Sequence, residues 1–543
     1  MKNTKFLTFL LIVFLTTKNL FTQPKDSDVL TLKFTQGMLM FANENYRGAL
    51  KIFKDLYKNY ENNALLNLRI GQCYLELKLP DSALVFLEKA IALDTTIKKE
   101  AYLLLGQVYH YDEQIDKALE YYYKYKSKLT PKQSEKDYVN ILIEQALYAK
   151  ELISNPVKVK VENLGSAINT QYTEGNPSIT ADGKVLIFTS RRPENTGNLY
   201  DYEADCYYDD VYIARYDEKT KSWTDVKNIG PPINTEYHDA NTSISPDGNI
   251  IYLYKNIKGV TGSGDIYYSE KGPTGEWLPP KSLPKQINSS FFESSACVTA
   301  DGNMMFFVSE RKGGYGRGDI YMVKKIGDSW GIPENLGPTI NTPYDEIGVF
   351  IHPDGKTLFF SSNGHNTIGG YDIFMSYYDG TKWSKPINLG YPINTPSDEI
   401  HFVLSADRKT AYINSNRKSS IGDYDIFKID MSEYFKTYKE IPSHIAKAIV
   451  GDVVVIVKGK VSDAETGNPI IATLVFKDLS SDQISQTDTN ENGEYFITLS
   501  ADKRYEVLVR ADGYKSYITK FKTPKPESFE TPTTTRHFLL NKE

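Results

Sequence analysis

Only three cysteines occur in 543 residues: Cys73, Cys206 and Cys297. Their wide spacing supports neither a disulfide framework nor a zinc cluster. The seven histidines are scattered, and no two stand as a metal-ligand pair on a helix. There is no H-E-x-x-H, no G-x-S-x-G elbow and no phosphate-binding glycine loop. A basic excess is missing as well. Lys and Arg number 63 against 69 Asp and Glu, a net charge of −6, which lacks the footprint of a nucleic-acid binder. The long apolar run of a membrane span is absent. Phe6–Leu15 is the longest candidate, and its ten residues cover only about 15 Å as helix, half of a hydrocarbon core. Behind Lys2 and Lys5 it has the pattern of a secretory signal peptide over residues 1–22; an uncleaved anchor is the alternative. No cysteine follows the run, so a lipid anchor is not expected. The mature protein is expected to be exported and soluble.

What is present is globular. The hydrophobic set makes up 40% and charged residues 24%, and the length suits about three or four domains. Tyrosine is abundant, with 40 Tyr against 4 Trp, a residue favoured in strands and on wet binding surfaces.

Residues 30–154 carry helical periodicity with a 34- to 35-residue repeat. Gly37, Gly71 and Gly106 recur. Ala49, Ala83 and Ala118 follow twelve residues later, and Phe53, Leu87 and Tyr122 four further on. Small residues at the first two positions let paired helices approach, and the large third residue fills the space between repeats. Residues 132–154 read as one closing helix, ended at Asn155-Pro156. The pattern resembles the tetratricopeptide repeat (TPR), an α-helical superhelix, with the copy at 64–97 the best match. In that family the inner helices line a concave groove. The resemblance places Phe34, Met38, Phe41, Leu68, Gln72, Leu75, Leu103, Gln107, His110 and Tyr111 there. That set is more apolar than an open groove should be. Either a partner's helix or peptide lies in it, or this chain's own linker or following domain covers it. On the first alternative, charges at Leu68 and Leu103 are expected to release a partner without unfolding the chain.

From residue 155 to about 440 the pattern changes to short strands with regular turns. The segments NLGSAINT (163–170), NIGPPINT (228–235), LPKQINS (283–289), NLGPTINT (335–342) and NLGYPINT (388–395) are one motif, five times. Asp-Gly turns follow at Asp182, Asp247, Asp301 and Asp354, and the fifth copy has Asp407-Arg408. Triplets beginning at Asp210, Asp265, Asp319, Asp372 and Asp425 end each unit, and the first four are followed by Trp223, Trp277, Trp330 and Trp383. Each unit reads as strand, tight hairpin, strand, loop, strand, and a weak fourth strand near the Trp. Four-stranded units at this period predict an all-β propeller of five blades, or six if 428–445 contributes strands. The stretch 157–165 resembles the fourth strand of the other units and is expected to pair into the last blade and close the ring. Through "SISPDG" (243–248) and "FIHPDG" (350–355) the units resemble the WD40-like, TolB-type PD40 propeller. Each unit also has an acid six residues after its motif Ile: Glu174, Asp239, Glu293, Glu346 and Glu399. Around one channel mouth they would attract a cation or a basic peptide tail. Alternatively, each bonds its own blade's backbone.

Residues 450–543 read as alternating short strands and resemble the carboxypeptidase regulatory-like domain, a transthyretin-like β-sandwich. Residues 487–499 are expected to form a polar hairpin. Asp488, Asn490, Asn492 and Gly493 imitate the start of a calcium loop, but the twelfth position is Leu499 where a Glu is needed. His110 and Glu113 have a zinc-peptidase spacing but sit in a helical repeat, away from any peptidase domain. No metal and no cofactor is expected, and every module is of an interaction type, so an enzyme is not expected.

Signal peptide, TPR, PD40 propeller and regulatory-like sandwich, in this order, resemble Bacteroidota envelope proteins of the OmpA-family kind. These include an accessory subunit of the type IX secretion and gliding apparatus. The resemblance implies a periplasmic scaffold that partners an outer-membrane β-barrel protein of the PorP/SprF type or subunits of the secretion complex. The OmpA-like domain that binds peptidoglycan in such members has no counterpart before Glu543, so peptidoglycan is not an expected direct partner. The alternatives are a sensor propeller for a glycan or cell-wall fragment, and an assembly chaperone.

Overall fold

The computed structural model describes residues 27–202, 205–257, 264–437, 454–481, 483–525 and 533–543. The expected signal peptide lies outside the described residues. The chain divides into two compact units: residues 1–150 with 200–206, and residues 151–199 with 207–543.

In the first unit, helices Ser27–Ala42, Tyr46–Tyr60, Ala64–Glu76, Pro80–Leu93, Lys98–Tyr111 and Ile115–Lys126 pack as three successive pairs. Local chemistry sets their starts. The Asn45 and Asn63 side chains accept from Gly48 N and Leu66 N, and Pro80 opens the fourth helix. The glycine periodicity has a steric cause. A Cβ at Gly37, Gly71 or Gly106 would lie 2.5 Å from Phe53, 2.7 Å from Leu87 or 2.4 Å from Tyr122. Each large residue thus fills the space its own repeat's glycine leaves open. The expected single closing helix is two. Pro131–Lys136 carries a capping box at Thr130 and Gln133 and stops at Asp137, whose backbone is extended. The Asp137 carboxylate then accepts from Val139 N and starts Val139–Ser154. An acid that suits an N-cap is what breaks the helix.

The second unit begins with five antiparallel sheets of the expected strand pattern. Their first strands are Glu174–Ile179, His238–Ile244, Glu293–Val298, Glu346–Ile351 and Glu399–Leu404. Each of these packs on the next, and the fifth packs on the first. Strand Lys160–Asn163 pairs antiparallel with Asp425–Asp430 as the outer strand of the fifth sheet, with Lys160 opposite Asp430. The repeated motif explains how successive sheets are joined. The Asn of each Ile-Asn pair clasps both backbone groups of a third-strand residue. Asn234 holds Val211, Asn288 holds Ile266, Asn341 holds Ile320 and Asn394 holds Ile373. The first copy in sequence does this across 257 residues: Asn169 accepts from Ile426 N at 2.8 Å and donates to Ile426 O at 2.9 Å. The first Asn of that motif, Asn163, donates to the Asp425 carboxylate at 2.6 Å and accepts from Asn169 Nδ2 at 2.8 Å. A carboxamide serves here because it carries both a donor and an acceptor in the spacing of a peptide group.

The cores lie between neighbouring sheets. Tryptophans carry this packing to a neighbouring sheet: Trp223 of the first stands edge-on to Tyr412 of the fifth, and Trp383 of the fourth edge-on to Phe306 of the third. One cluster gathers Phe359, Phe402 and Phe427, with Val157, Val159 and Val161 of the closing segment and Tyr434 and Phe435 just after the last strand. Residues 434–437 are a short helix, not strand; of the expected alternative sixth unit, 438–445 lie outside the described residues.

The C-terminal module is a sandwich. One sheet has Val454–Asp463 between Glu494–Ser500 and the pair Thr533–Thr535 and Phe538–Leu540. The other runs Ile484–Asp488, Thr473–Asp478, Arg504–Arg510, Tyr517–Lys522. Residues 487–499 therefore do not form a hairpin. Ile484–Asp488 and Glu494–Ser500 belong to different sheets, and the Asn490 side chain tightens an arch between them by accepting from Asn492 N and Glu494 N. The crossing leaves the two sheets facing one core, which joins Leu474 and Phe476 of Thr473–Asp478 with Ile497 and Leu499 of Glu494–Ser500.

Candidate functional site

The ten groove positions do not share one environment. Phe34, Met38, Leu68, Leu75, His110 and Tyr111 are buried, whereas Phe41, Gln72, Leu103 and Gln107 are half-buried. Phe34 packs on Phe53, with ring centres 5.4 Å apart, and the His110 ring meets the Tyr122 hydroxyl at 3.3 Å. Gln72 accepts from Arg69, which also pairs with Glu100 at 2.6 Å. Leu68 has no exposed surface at all, so it is core rather than lining. Phe41, Gln72, Leu103 and Gln107 are the members of the set that retain surface for a partner.

The five repeated acids are buried without exception, at 0% exposure. None stands at an open mouth, and each makes the same bonds within its own sheet. Glu174 accepts from Thr170 N and Oγ1 and from Ser190 Oγ. Asp239 accepts from Thr235 N and Oγ1. Glu293 does so from Ser289 and Ser309, Glu346 from Thr342 and Ser362, and Glu399 from Thr395 and Ser415. The local bond is the geometry these residues have.

Cations that the sequence reading passed over complete this layer. Arg192, Arg311 and Arg417 lie 3.3, 3.5 and 3.0 Å from Glu174, Glu293 and Glu399. The same guanidinium groups donate to Ile168 O, Ile287 O and Ile393 O. In the second sheet Lys255 plays both parts, on Asp239 and on Ile233 O. A signal existed: the three arginines each stand two residues after a serine that also bonds the acid.

The fourth sheet departs from this rule. Ser362 is followed two residues on by Gly364, whose missing Cβ would fall 1.9 Å from Thr342 Oγ1. The carbonyl of Ile340 is instead met by His365 Nε2 at 2.8 Å, which donates to it. Glu346 accepts three hydrogen bonds and, among the described residues, makes no ion pair. Burial, with the Asp319 carboxylate adding to it, pushes its carboxyl from 4.5 up to about 7.

A stability change with pH follows. Between 4.5 and about 7 the folded chain holds a Glu346 proton that the unfolded chain has released. The group's contribution is therefore full below 4.5 and is lost as pH rises to about 7, on the order of 3 kcal/mol. Glu346→Gln keeps an acceptor for Thr342 N, and the Thr342 and Ser362 hydroxyls turn to accept from its amide. We expect the variant's stability difference between pH 5 and pH 8, read from urea unfolding, to be smaller than the parent's by on the order of 3 kcal/mol. A difference as large as that of the parent would refute the assignment.

Across the middle of the ring, His401 bridges Ser295 Oγ at 3.4 Å and Asn414 Oδ1 at 3.2 Å. Burial pushes its imidazole down to about 4, so it is neutral there. At the hairpin end of the first strands, Ala181 and Ala406 pack on Ile456 and Phe496 of the sandwich. Among the described residues no group of three or more His, Cys, Asp or Glu is placed to hold a metal ion. Among them, too, no helix is long and apolar enough to cross a membrane.

Comparison with known proteins agrees with the two flanking modules. Residues 40–96 match the family model of the tetratricopeptide repeat, and residues 456–531 match that of the carboxypeptidase regulatory-like domain. No curated protein matches the chain. Among solved structures, 3-chlorocatechol 1,2-dioxygenase from Rhodococcus opacus 1CP is similar over 17% of this chain at 16% identity, TM-score 0.15; the match spans 61% of that protein, under two thirds of its length. The type III secretion translocator chaperone SycD of Yersinia enterocolitica is similar over 23% of this chain and 88% of its own, at 18% identity, TM-score 0.21. An α-L-arabinofuranosidase from Lactobacillus brevis is similar over 49% of this chain and 93% of its own, at 15% identity, TM-score 0.35. Likenesses this low carry nothing about function. The chain thus bears a tetratricopeptide repeat, whose kind suggests protein–protein interaction, ahead of a large all-β region that ends in a regulatory-like sandwich.

Proposed function

We propose that this chain is a non-catalytic scaffold or adaptor of an outer-membrane protein complex. In this reading the segment 1–22 directs export, and the protein works in the periplasm, held at the outer membrane by protein partners. The five-sheet ring is read as a five-bladed PD40 propeller closed by Lys160–Asn163. The machine is type IX secretion or gliding, and the partner is a β-barrel of the PorP/SprF type or a secretion subunit. The observation that carries the reading is the order of modules. A helical repeat with half-buried Phe41, Gln72, Leu103 and Gln107 precedes a ring whose repeated acids all serve its own architecture. Surfaces that bind, on a framework that braces itself, suit an adaptor. The test is purification of the tagged native chain from detergent-solubilised envelopes, with mass spectrometry of what accompanies it. A stoichiometric outer-membrane barrel or secretion subunit is expected. A chain that elutes alone overturns the proposal.

A further inference from the structure

The sandwich sets one of its sheets against the ring and leaves the other open. Ile456 and Phe496, on the outward face of the first sheet, pack on Ala181 and Ala406. The second sheet turns Leu474, Phe476, Val507 and Val509 to the core, so the alternate positions of its strands face outward. Strand pairing lines those positions up. Gln486, Val475, Leu508 and Ile518 form one row across the sheet, and Ile484, Lys477, Glu506 and Lys520 the next. Beyond the first row lie Asp488, Thr473 and Arg510. Beyond the second, Arg504 stands directly opposite Lys522.

The open face of a sheet is ordinarily polar. This one carries four aliphatic residues, and Ile484 and Ile518 are 50% and 62% exposed. Around them stand five cations and two carboxylates, in a chain whose net charge is −6. Both carboxylates are engaged: Glu506 pairs with Lys520 at 3.1 Å, and Asp488 accepts from Thr473 Oγ1. Asp502, at the end of the sheet, takes Lys522. Arg504 and Arg510 have no carboxylate within 4.0 Å among the described residues.

Tyr517–Lys522 is also an edge strand. Thr523 N donates to Lys503 O, and Leu479 N to Arg504 O, which fixes the alternation of the ladder. Thr519 and Phe521 turn their backbone groups towards Arg504–Arg510, and Ile518, Lys520 and Lys522 turn theirs away from the sheet. Among the described residues no backbone group bonds those three from outside. A second copy is a poor occupant. Antiparallel pairing through the outward groups would set Lys520 against Lys520 and Ile518 against Lys522. We infer that this edge takes an extended acidic segment of a partner protein as a fifth strand. The segment's backbone bonds Ile518, Lys520 and Lys522, and an aliphatic residue continues the row that ends at Ile518. Acids at two alternate positions lie beside Lys520 and Lys522, with Arg504 behind them. The inference goes beyond the adaptor reading, which assigns no surface on the sandwich.

The experiment is fluorescence anisotropy of labelled heptapeptides with the full chain. TETETVT offers its acids and valine to an antiparallel edge, TVTETET to a parallel one, and TKTKTVT reverses the charge. Saturable binding of one acidic peptide is expected, at least tenfold tighter than TKTKTVT, with new hydrogen-exchange protection over residues 517–522. Lys520→Glu/Lys522→Glu should reverse the preference. Lys520→Pro removes an outward N–H and no ladder bond, and should abolish binding. Lys285→Glu, an exposed lysine outside the sandwich, should leave it as it was. Binding of neither acidic peptide, with or without adsorption to phosphatidylglycerol vesicles, would overturn the inference. So would equal binding of TKTKTVT, or binding that leaves 517–522 unprotected. Co-purification with a barrel protein can persist through any of these results, and its loss leaves them standing.

Discussion

Arg417→Ala should cost the ring about 3–5 kcal/mol at pH 8, because it leaves the Glu399 carboxylate buried without its cation. Arg417 holds more than the charge. It donates to Pro392 O, Ile393 O and Ser415 Oγ, and its guanidinium lies 5.1 Å from the centre of the Phe427 ring. The fourth sheet shows what the vacated site would become. Glu346 lives without a cation by holding its proton to about 7. Burial already raises the Glu399 carboxyl, and Arg417 opposes that shift. Without Arg417 the carboxyl should rise further, so the variant's deficit should be largest at pH 8 and smaller at pH 5. Adding Glu399→Gln should restore part of the loss at pH 8. Urea unfolding of the two variants at both pH values tests this. A deficit independent of pH, with no recovery in the double variant, would mean that packing on Phe427 rather than charge is what Arg417 supplies.

Leu68→Asp should unfold the helical unit, and Leu103→Asp should not. Leu68 is fully buried in Ala64–Glu76. The substitution removes a buried leucine, worth roughly 2–3 kcal/mol, and asks a carboxylate to give up water, which costs several more. A total above about 5 kcal/mol is comparable with the whole stability of a small domain. Leu103 is half-buried, and an Asp there keeps contact with solvent. Far-UV circular dichroism with limited proteolysis separates the two: loss of helix for Leu68→Asp, retention for Leu103→Asp. A folded Leu68→Asp chain would show that its neighbours open easily. The contrast matters for function. Loss of a partner on charging Leu68 reports collapse of the repeat, so Leu103, Gln72 and Gln107 are the positions where a binding defect is interpretable.

The repeats were legible because they are periodic. Glycines at a spacing of 34 to 35 residues, and a motif built on an Ile-Asn pair recurring five times, announce helical pairs and four-stranded sheets. The ring-closing role of residues 157–165 was legible for the same reason. What escaped were relations between copies. The sequence placed five acids at one offset from the motif, but that offset fits a channel mouth as well as a buried bracket. Only the serine and arginine from the following strand decide between them. The arch at residues 487–499 escaped because turn chemistry at Asn490 and Gly493 is the same whether the flanking strands pair with each other or with different partners. Leu68 and Leu103 share a spacing on their helices, and their difference comes from neighbours supplied by other elements.

Ring closure has a mechanical consequence. The chain comes into the ring at Lys160 and leaves it at Asp430, and these two residues face each other in one strand pair. Tension drawn along the backbone, from the helical repeats towards the sandwich, arrives at adjacent ends of that pair and at no other sheet. Such a load opens an antiparallel ladder one rung at a time instead of shearing all rungs together. The first sheet to yield would be the fifth. Resistance would then rest on the side chains beside that first rung: Val157, Val159 and Val161 of the incoming segment, and Met431, Tyr434 and Phe435 of the outgoing one, all packed in one cluster. A pulled molecule would give way at its seam while four sheets kept their form.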